Sequence, residues 1–545
     1  MKKILVFTAA LAFAVSAQQA ERPKLVIGIV VDQMRYDYIY RFWDLFGDGG
    51  FKELVNNGYN CTSTHYTYVP TFTAPGHTSI FTGTTPWMHG IIGNNWFERE
   101  TNKPVYCAED KTVTAVGGTP ANGEFSPRRL LVNSIADEMK ISNSFHSKVI
   151  GVAIKERSSI LPAGRSADAA YWLDRATGKW ITSTYYRTDL PAWVNNYNNL
   201  KRADELLSKK WELSFPIEKY SMCGPDDSKF EGLFKGEEKP IFPHDLPTIK
   251  SLMGDYELIP STPMGDIMTA EFAIEAIKGE NLGKGEFTDI LTLSFSPPDY
   301  VGHRYGPQSV ELADCYVKLD KDLKLLFDFL KSHFPKGDYV LFLSADHGVA
   351  EIPGFLRQNH IDCGLIDFSA YTKAANAALN NHFNAGTDSN FVINAQNYQF
   401  YFNYDLMKKY KTTSEEMVEI IKPELMKFTE IRDVVPSSSL DEASNSADPV
   451  RKKFFFGYHK KRGGDCWIDF VPAWLLGFGN TGTSHGSPFE YDSHVPLIFY
   501  GMGVNKGENN SAVEIIDIAP TIANYLKIMA PNGSFGKVIQ GVFKK

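Results

Sequence analysis

Tyr339-Val340-Leu341-Phe342-Leu343-Ser344-Ala345-Asp346-His347-Gly348 is a short apolar run that stops abruptly at two metal-ligand residue types and a glycine. It lacks the alternation of a half-buried strand, so it reads as a strand covered on both faces, as in parallel sheets. Four further runs read the same way: Lys24 to Val31, Val149 to Ile154, Ile290 to Phe295 and Val495 to Tyr500. Helical patterns lie between or after them, at Arg129 to Met139, Met268 to Ile277 and Val310 to Leu330, the last with apolar residues at i, i+3 and i+4 spacing. This alternation predicts an α/β fold with a doubly wound, mainly parallel central sheet flanked by helices.

The chain has 545 residues, of which 43% are hydrophobic, 13% aromatic and 22% charged, a globular composition that excludes disordered and fibrous classes. Acidic residues outnumber basic ones by 64 to 56, for a formal charge of -8, which argues against nucleic acid or an anionic membrane as partner. An anionic substrate therefore needs locally placed positive charge. Two stretches break the alternation, one at about 160–265 rich in Trp, Tyr, Pro and Asn, the other at about 360–475. The second carries a strand-like Tyr398 to Phe402 and a helix-like Thr413 to Phe428. Without a repeat or linker to separate them, both are expected to be insertions in one catalytic domain spanning 18–545.

At the N-terminus, Lys2-Lys3 precedes an apolar run from Ile4 to Val15 and then Val15-Ser16-Ala17. That order predicts a secretory signal peptide over residues 1–17, cleaved after Ala17, because the run is shorter than the roughly 20 helical residues that cross a bilayer. The expected product is a periplasmic or secreted protein with no membrane span. Cys61, Cys107, Cys223, Cys315, Cys363 and Cys466 stand singly, with no CxxC pair, and in an oxidising compartment three disulfides are the expectation. A monomer is the simpler expectation for oligomeric state.

The residues just beyond each strand carry the chemistry. The runs exit into Asp32, into Lys155 and Arg157, into Asp299, and into Asp346-His347. In an open parallel sheet such residues converge on one crevice beyond the carboxyl ends of the strands. Asp299 and His303, four apart, can reach one ion across a helical turn, and His485 lies in the small-residue loop Gly482-Thr483-Ser484-His485-Gly486. Three carboxylates and three histidines make two mixed N/O ligand sets, which suit two Zn2+ ions better than magnesium or calcium. Such a pair can clamp both oxygens of an in-line displacement at phosphorus. In Thr71-Phe72-Thr73-Ala74-Pro75-Gly76-His77, Pro75 fits an early helical position and Thr73 an N-cap, where its hydroxyl would face ions and ligand. His77 and His89 are expected to pack or hydrogen bond locally. Lys155 and Arg157 are expected to point to the same side by strand periodicity, with Glu156 turned away, and so to hold phosphate oxygens. Asn94 or Asn95 could add a hydrogen bond.

The strand ending in Asp32, the Thr-x-Pro-x-His segment at Thr73, His89-Gly90-Ile91-Ile92-Gly93-Asn94, Asp299-x-x-x-His303, Ala345-Asp346-His347-Gly348 and the late loop at His485 together resemble the alkaline phosphatase superfamily. Within it the chain is most similar to the phosphate-irrepressible periplasmic alkaline phosphatases, monoesterases with a threonine nucleophile. The resemblance implies that Asp299, His303 and His485 bind one zinc, and that Asp32, Asp346 and His347 bind the other together with Thr73. It also selects Asn94 over Asn95 as the phosphoryl contact. Lys155 and Arg157 match the pair that sets the monoesterase branch apart, although Glu156 and Ser158 stand where Asp and Gly are expected. The implied activity is hydrolysis of small-molecule phosphate monoesters through a phosphothreonine. The alternatives are a nucleotide pyrophosphatase/phosphodiesterase or phosphonate hydrolase of the same superfamily, or a non-catalytic phosphate- or metal-binding protein. The Cys-x-Pro-x-Arg motif of sulfatases is absent from the sequence.

Overall fold

A computed structural model describes residues 22–477 and 481–544. The expected signal peptide, residues 1–17, lies outside the described residues. A ten-stranded sheet forms the centre of the molecule. Eight of its strands are β1 (Leu25–Val31), β2 (Tyr59–Cys61), β3 (Val149–Ala153), β4 (Ala169–Asp174), β5 (Lys179–Ser183), β6 (Asp289–Phe295), β7 (Tyr339–Ser344) and β8 (Leu497–Gly501). Gly507–Asn509 and Ala115–Val116 form its two edges, and the order across it is Gly507–Asn509, β2, β8, β7, β1, β6, β3, β4, β5, Ala115–Val116. The five central strands from β7 to β4 are mutually parallel. Each of β1, β3, β4, β6 and β7 is buried along its full length, which is why β1, β3, β6 and β7 read as apolar runs.

β1 is the middle of this arrangement, paired residue for residue with β6 on one side and β7 on the other. Its Gly28 has a packing role: a Cβ there would stand 2.6 Å from Phe81 and 2.8 Å from Phe342, so only glycine lets the helix of Thr73–Thr82 lie this close to the sheet. The helices that carry function are α1 (Thr73–Thr82), α2 (Glu156–Ala163), α3 (Pro297–Tyr305) and α4 (Val310–His333). α4 starts where Ser309 accepts a hydrogen bond from the Leu312 N–H, an ordinary N-cap.

The overall fold departs from the sequence expectations in four places. The run from Val495 to Tyr500 is broken at Pro496, which has no N–H for a ladder: His494–Val495 joins a small separate sheet, and β8 runs antiparallel to β7. The helical pattern from Arg129 begins only at Ile135, after a Ser134–Asp137 capping box. Within the stretch at about 160–265, β4 and β5 extend the central sheet, and only the chain after them decorates it. The three expected disulfides are not formed, and all six cysteines are free thiols. Cys61 and Cys315 sit in the main core with Cys223 packed against it, and Cys107, Cys363 and Cys466 lie in three other apolar clusters, where they pack as small hydrophobes.

The stretch at about 360–475 builds a core of its own. Val392–Gln396, Gln399–Phe402, Cys466–Phe470 and Ile431–Pro436 form a four-stranded antiparallel sheet, with Tyr371, Leu379, Ile421 and Trp467 buried between it and its helices.

Candidate active site

Four strand exits meet beyond the carboxyl ends of β1, β3, β6 and β7, bringing Asp32, Lys155, Asp299, Asp346 and His347 into one buried cluster. One donor atom from each of Asp299, His303 and His485 lies within 4.8 Å of the other two, and the same holds for Asp32, Asp299 and His347. Asp299 therefore belongs to both groups. Asp346 reaches the second group through Oδ2, 3.5 Å from His347 Nε2, while its Oδ1 accepts from the Gln33 N–H at 3.0 Å.

The three histidines are prepared as ligands in the same way. Nδ1 of His303 bonds the Thr483 carbonyl at 2.8 Å, Nδ1 of His347 the Gly348 carbonyl at 2.9 Å, and Nδ1 of His485 the Thr71 carbonyl at 2.7 Å. A carbonyl only accepts, so each Nδ1 carries a proton, and in the neutral ring the lone pair is on Nε2. Those Nε2 atoms face carboxylates: His303 lies 3.2 Å from Asp299 Oδ1, His485 3.7 Å from the same oxygen, and His347 3.6 Å from Asp32 Oδ1. Burial keeps His347 and His485 neutral, His485 pushed down to about 3.

Charge in the cluster is unbalanced. Lys155 Nζ donates to Asp32 Oδ2 at 2.7 Å and to Asp299 Oδ2 at 2.5 Å, one ammonium for three buried carboxylates. Burial opposes the lysine's charge, but Asp299 and Asp32 together hold its pKa above the ordinary value. Burial also works against Asp299, yet Lys155 and His303 keep it well below the usual carboxylate range. Asp32 and Asp346 are pushed up, chiefly by burial, Asp346 to about 7. Asp32 Oδ1 and Asp346 Oδ2 are buried without a hydrogen-bond partner. Uncompensated buried carboxylates beside bare imidazole nitrogens are the donor set that divalent cations satisfy.

Thr73 enters this cluster from α1. It is the first helical residue and not the N-cap expected from sequence; the cap position is Phe72, in extended conformation. The capping bond comes from outside the helix, where Asn94 Oδ1 accepts from the Ala74 N–H at 2.9 Å. The Thr73 hydroxyl takes no part in the cap; it is buried and makes a long, 3.5 Å contact with His347 Nε2. Gly76 makes this approach possible: a Cβ there would lie 2.2 Å from the Asp346 carbonyl oxygen.

Lys155 and Arg157 are not arranged by strand periodicity. β3 ends at Ala153, Lys155 is the N-cap of α2, and Arg157 sits in its first turn. Glu156 is not turned away either, because Tyr106 donates to Glu156 while Arg157 donates to the Tyr106 hydroxyl at 3.1 Å. Lys155 and Arg157 nevertheless line one cavity of about 390 Å³, together with Tyr106, Glu156, Arg175 and Tyr300.

Sequence reasoning missed the residues that hold the ligands in place. Gln33 Nε2 donates to Asp299 Oδ1 at 2.8 Å, and its backbone adopts φ 63 so that its N–H meets Asp346. His77 lies 3.1 Å from Asp346 Oδ2 and bonds Ser294, which supports its reading as a local partner. His89 likewise bonds Ser79. Asp492 accepts from the Gly486 and Ser487 N–H groups and so shapes the loop of His485. Adjacency to Asp32 could have flagged Gln33; nothing local marks Asp492.

Comparison with known proteins places this geometry in a family. The family model described as type I phosphodiesterase / nucleotide pyrophosphatase matches residues 26–488. A protein of Myroides odoratus named calcium-transporting ATPase is 42% identical, over 97% of this chain and 96% of its own. Alkaline phosphatase PafA of Elizabethkingia meningoseptica is 41% identical, over 96% of this chain and 94% of its own. The crystal structure of wild-type alkaline phosphatase PafA superposes with a TM-score of 0.91 at 41% identity, covering 96% of this chain and 99% of that one. A further PafA structure carries replacements of a threonine, an asparagine, a lysine and an arginine.

Proposed function

Because this chain belongs to the type I phosphodiesterase / nucleotide pyrophosphatase family, within the alkaline phosphatase superfamily, we propose that it is an alkaline phosphatase that hydrolyses phosphate monoesters to inorganic phosphate and an alcohol through a phosphothreonine at Thr73. The observation that carries this reading is the buried Thr73 hydroxyl standing against His347 Nε2 in a cluster of histidines, buried carboxylates and one fixed lysine. Asp299, His303 and His485 would hold one zinc ion, and Asp32, Asp346, His347 and Thr73 a second. Such a pair supplies Lewis-acid charge that acidifies a hydroxyl and stabilises the oxygens entering and leaving phosphorus.

In the first displacement Thr73 Oγ1 bonds to phosphorus and the alcohol oxygen departs with the ester electrons. Water then attacks phosphorus from the opposite side, releasing phosphate and restoring Thr73. With its Oδ1 engaged by Ala74, Asn94 keeps its amide N–H groups to donate to a phosphoryl oxygen. Lys155 and Arg157, lining one cavity, are the cations for the remaining oxygens. A monoester presents one more charged oxygen than a diester, so two fixed cations favour monoesters. The same four residue types, threonine, asparagine, lysine and arginine, are those replaced in the PafA variant.

A second reading, diester hydrolysis, is favoured by the description of the family model. The Myroides name joins ATP hydrolysis to calcium transport; its hydrolytic half is phosphoryl transfer of the same class. Among the described residues no helix is long and apolar enough to cross a membrane. We place the reaction outside the cytoplasm on the strength of the segment from Lys2 to Ala17.

Replacement of the nucleophile tests the proposal. Thr73→Ala should lose turnover of p-nitrophenyl phosphate while keeping its metal content, and Thr73→Ser should keep measurable turnover. Full activity in Thr73→Ala would remove Thr73 from the mechanism.

A further inference from the structure

Away from the cluster around Asp299, we infer a separate divalent-cation site formed by His65, Glu490 and His494. One donor atom from each lies within 4.8 Å of the other two. His65 and His494 belong to the small sheet of Thr64–His65, His494–Val495 and Val513–Glu514, whose antiparallel register sets His494 opposite His65. Cross-strand partners share a face, and the two imidazoles stack with centroids 4.5 Å apart and planes at 19°.

Each ring is already held by its other nitrogen. His494 Nε2 bonds the Thr62 carbonyl at 3.0 Å, which fixes the proton on Nε2 and leaves a lone pair on Nδ1. His65 Nε2 bonds the Ser63 hydroxyl at 3.1 Å, and its Nδ1 lies 3.3 Å from Glu490 Oε2. Orientation of a ligand histidine through its second nitrogen is the outer-shell arrangement metal sites use. Tyr36 stacks on His494 at 4.4 Å and limits its rotation. Lys453 lies near His65. The Lys453 ammonium itself is tied to the Pro488 carbonyl at 2.6 Å and to the Ser493 hydroxyl.

Two imidazoles and one carboxylate, with the Glu490 side chain 76% exposed, match a zinc-type ion with three protein ligands and an open position for water. Magnesium and calcium prefer all-oxygen shells. A cation here would clamp the segment at His494 to the one at His65. Just before His494, Asp492 holds the His485 loop and its carbonyl accepts from the Gly348 N–H. The site thus braces both catalytic loops without touching reacting atoms.

Zinc itself is the probe. Full-length protein carrying its tightly held metal is equilibrated with buffered free Zn2+, and metal per chain is counted for wild type, Glu490→Gln and the double variant His65→Ala/His494→Ala. Wild type should take up one more equivalent than the double variant, and Glu490→Gln should weaken that equivalent by roughly tenfold or more. Glu490 is a surface residue, so its variant decides the matter even if the double variant fails to fold. Equal uptake and affinity in wild type and Glu490→Gln would overturn the site and leave His65–Glu490 as a plain ion pair.

Discussion

With its side chain only 2% exposed, Lys155 donates to Asp32 and Asp299 at once, so its removal has two separable consequences. In metal-free protein, Lys155→Ala strands two carboxylates in the interior, and chemical denaturation should show a loss of about 3 to 5 kcal/mol. In metal-loaded protein the ions meet those carboxylates, and the loss should move to catalysis. There kcat/KM for a phosphate monoester should fall by roughly a hundredfold or more, the scale of a lost charge-stabilising donor, and fall less for a diester. Equal losses on both substrates would mean that Lys155 serves the carboxylates alone. Arg157 should behave differently in the stability assay, because its bonds are to Tyr106 and not to the ligand cluster.

At the scale of elements, α1 owes its start to a residue outside it. Asn94→Ala removes the bond to the Ala74 N–H, which should cost about 1 kcal/mol in denaturation as a lost cap, and also remove a phosphoryl donor, lowering kcat/KM. A kinetic loss with no change in stability would show that the cap bond is not made in solution. The aromatic-rich stretch after β5 is pinned to α4 by a different device. His244 lies 2.7 Å from Glu237 and 3.5 Å from Glu311 of α4. Burial disfavours its charge, but these two carboxylates raise its pKa to about 9. A histidine raised in the folded state binds more protons than in the unfolded chain. Its stabilisation is therefore complete below about 6.5 and is lost as pH rises through about 9. The melting temperature should fall across that window, and His244→Gln should flatten the fall; an unchanged slope in the variant would assign it to other groups.

Over the whole molecule, the parts legible in the sequence are those that repeat or abut. Runs such as Tyr339 to Ser344 showed the parallel sheet because burial on both faces removes polar alternation, and the ligands stood directly at their ends. What escaped was set by contacts distant in sequence. The Thr73 hydroxyl takes no part in the cap because Asn94 caps its helix, a relation that no local pattern in Thr73-Ala74-Pro75 encodes. Glu156 and Arg157 begin a helix where periodicity suggested a strand, since β3 stops at Ala153. The cysteines were read by compartment, whereas the fold spreads them over four apolar clusters, in which they pack as small hydrophobes. Asp492, which shapes a ligand loop, carries no local signature, and Gln33, which holds two ligands, is marked only by its adjacency to Asp32. All of these converge on one claim, that the cluster around Thr73 and Lys155 removes phosphate from monoesters. The most direct test is to compare, in zinc-loaded protein, kcat/KM for p-nitrophenyl phosphate with that for bis(p-nitrophenyl) phosphate, with and without a chelator. A strong monoester preference abolished by the chelator is the predicted result; a preference for the diester, or turnover indifferent to the chelator, would contradict it.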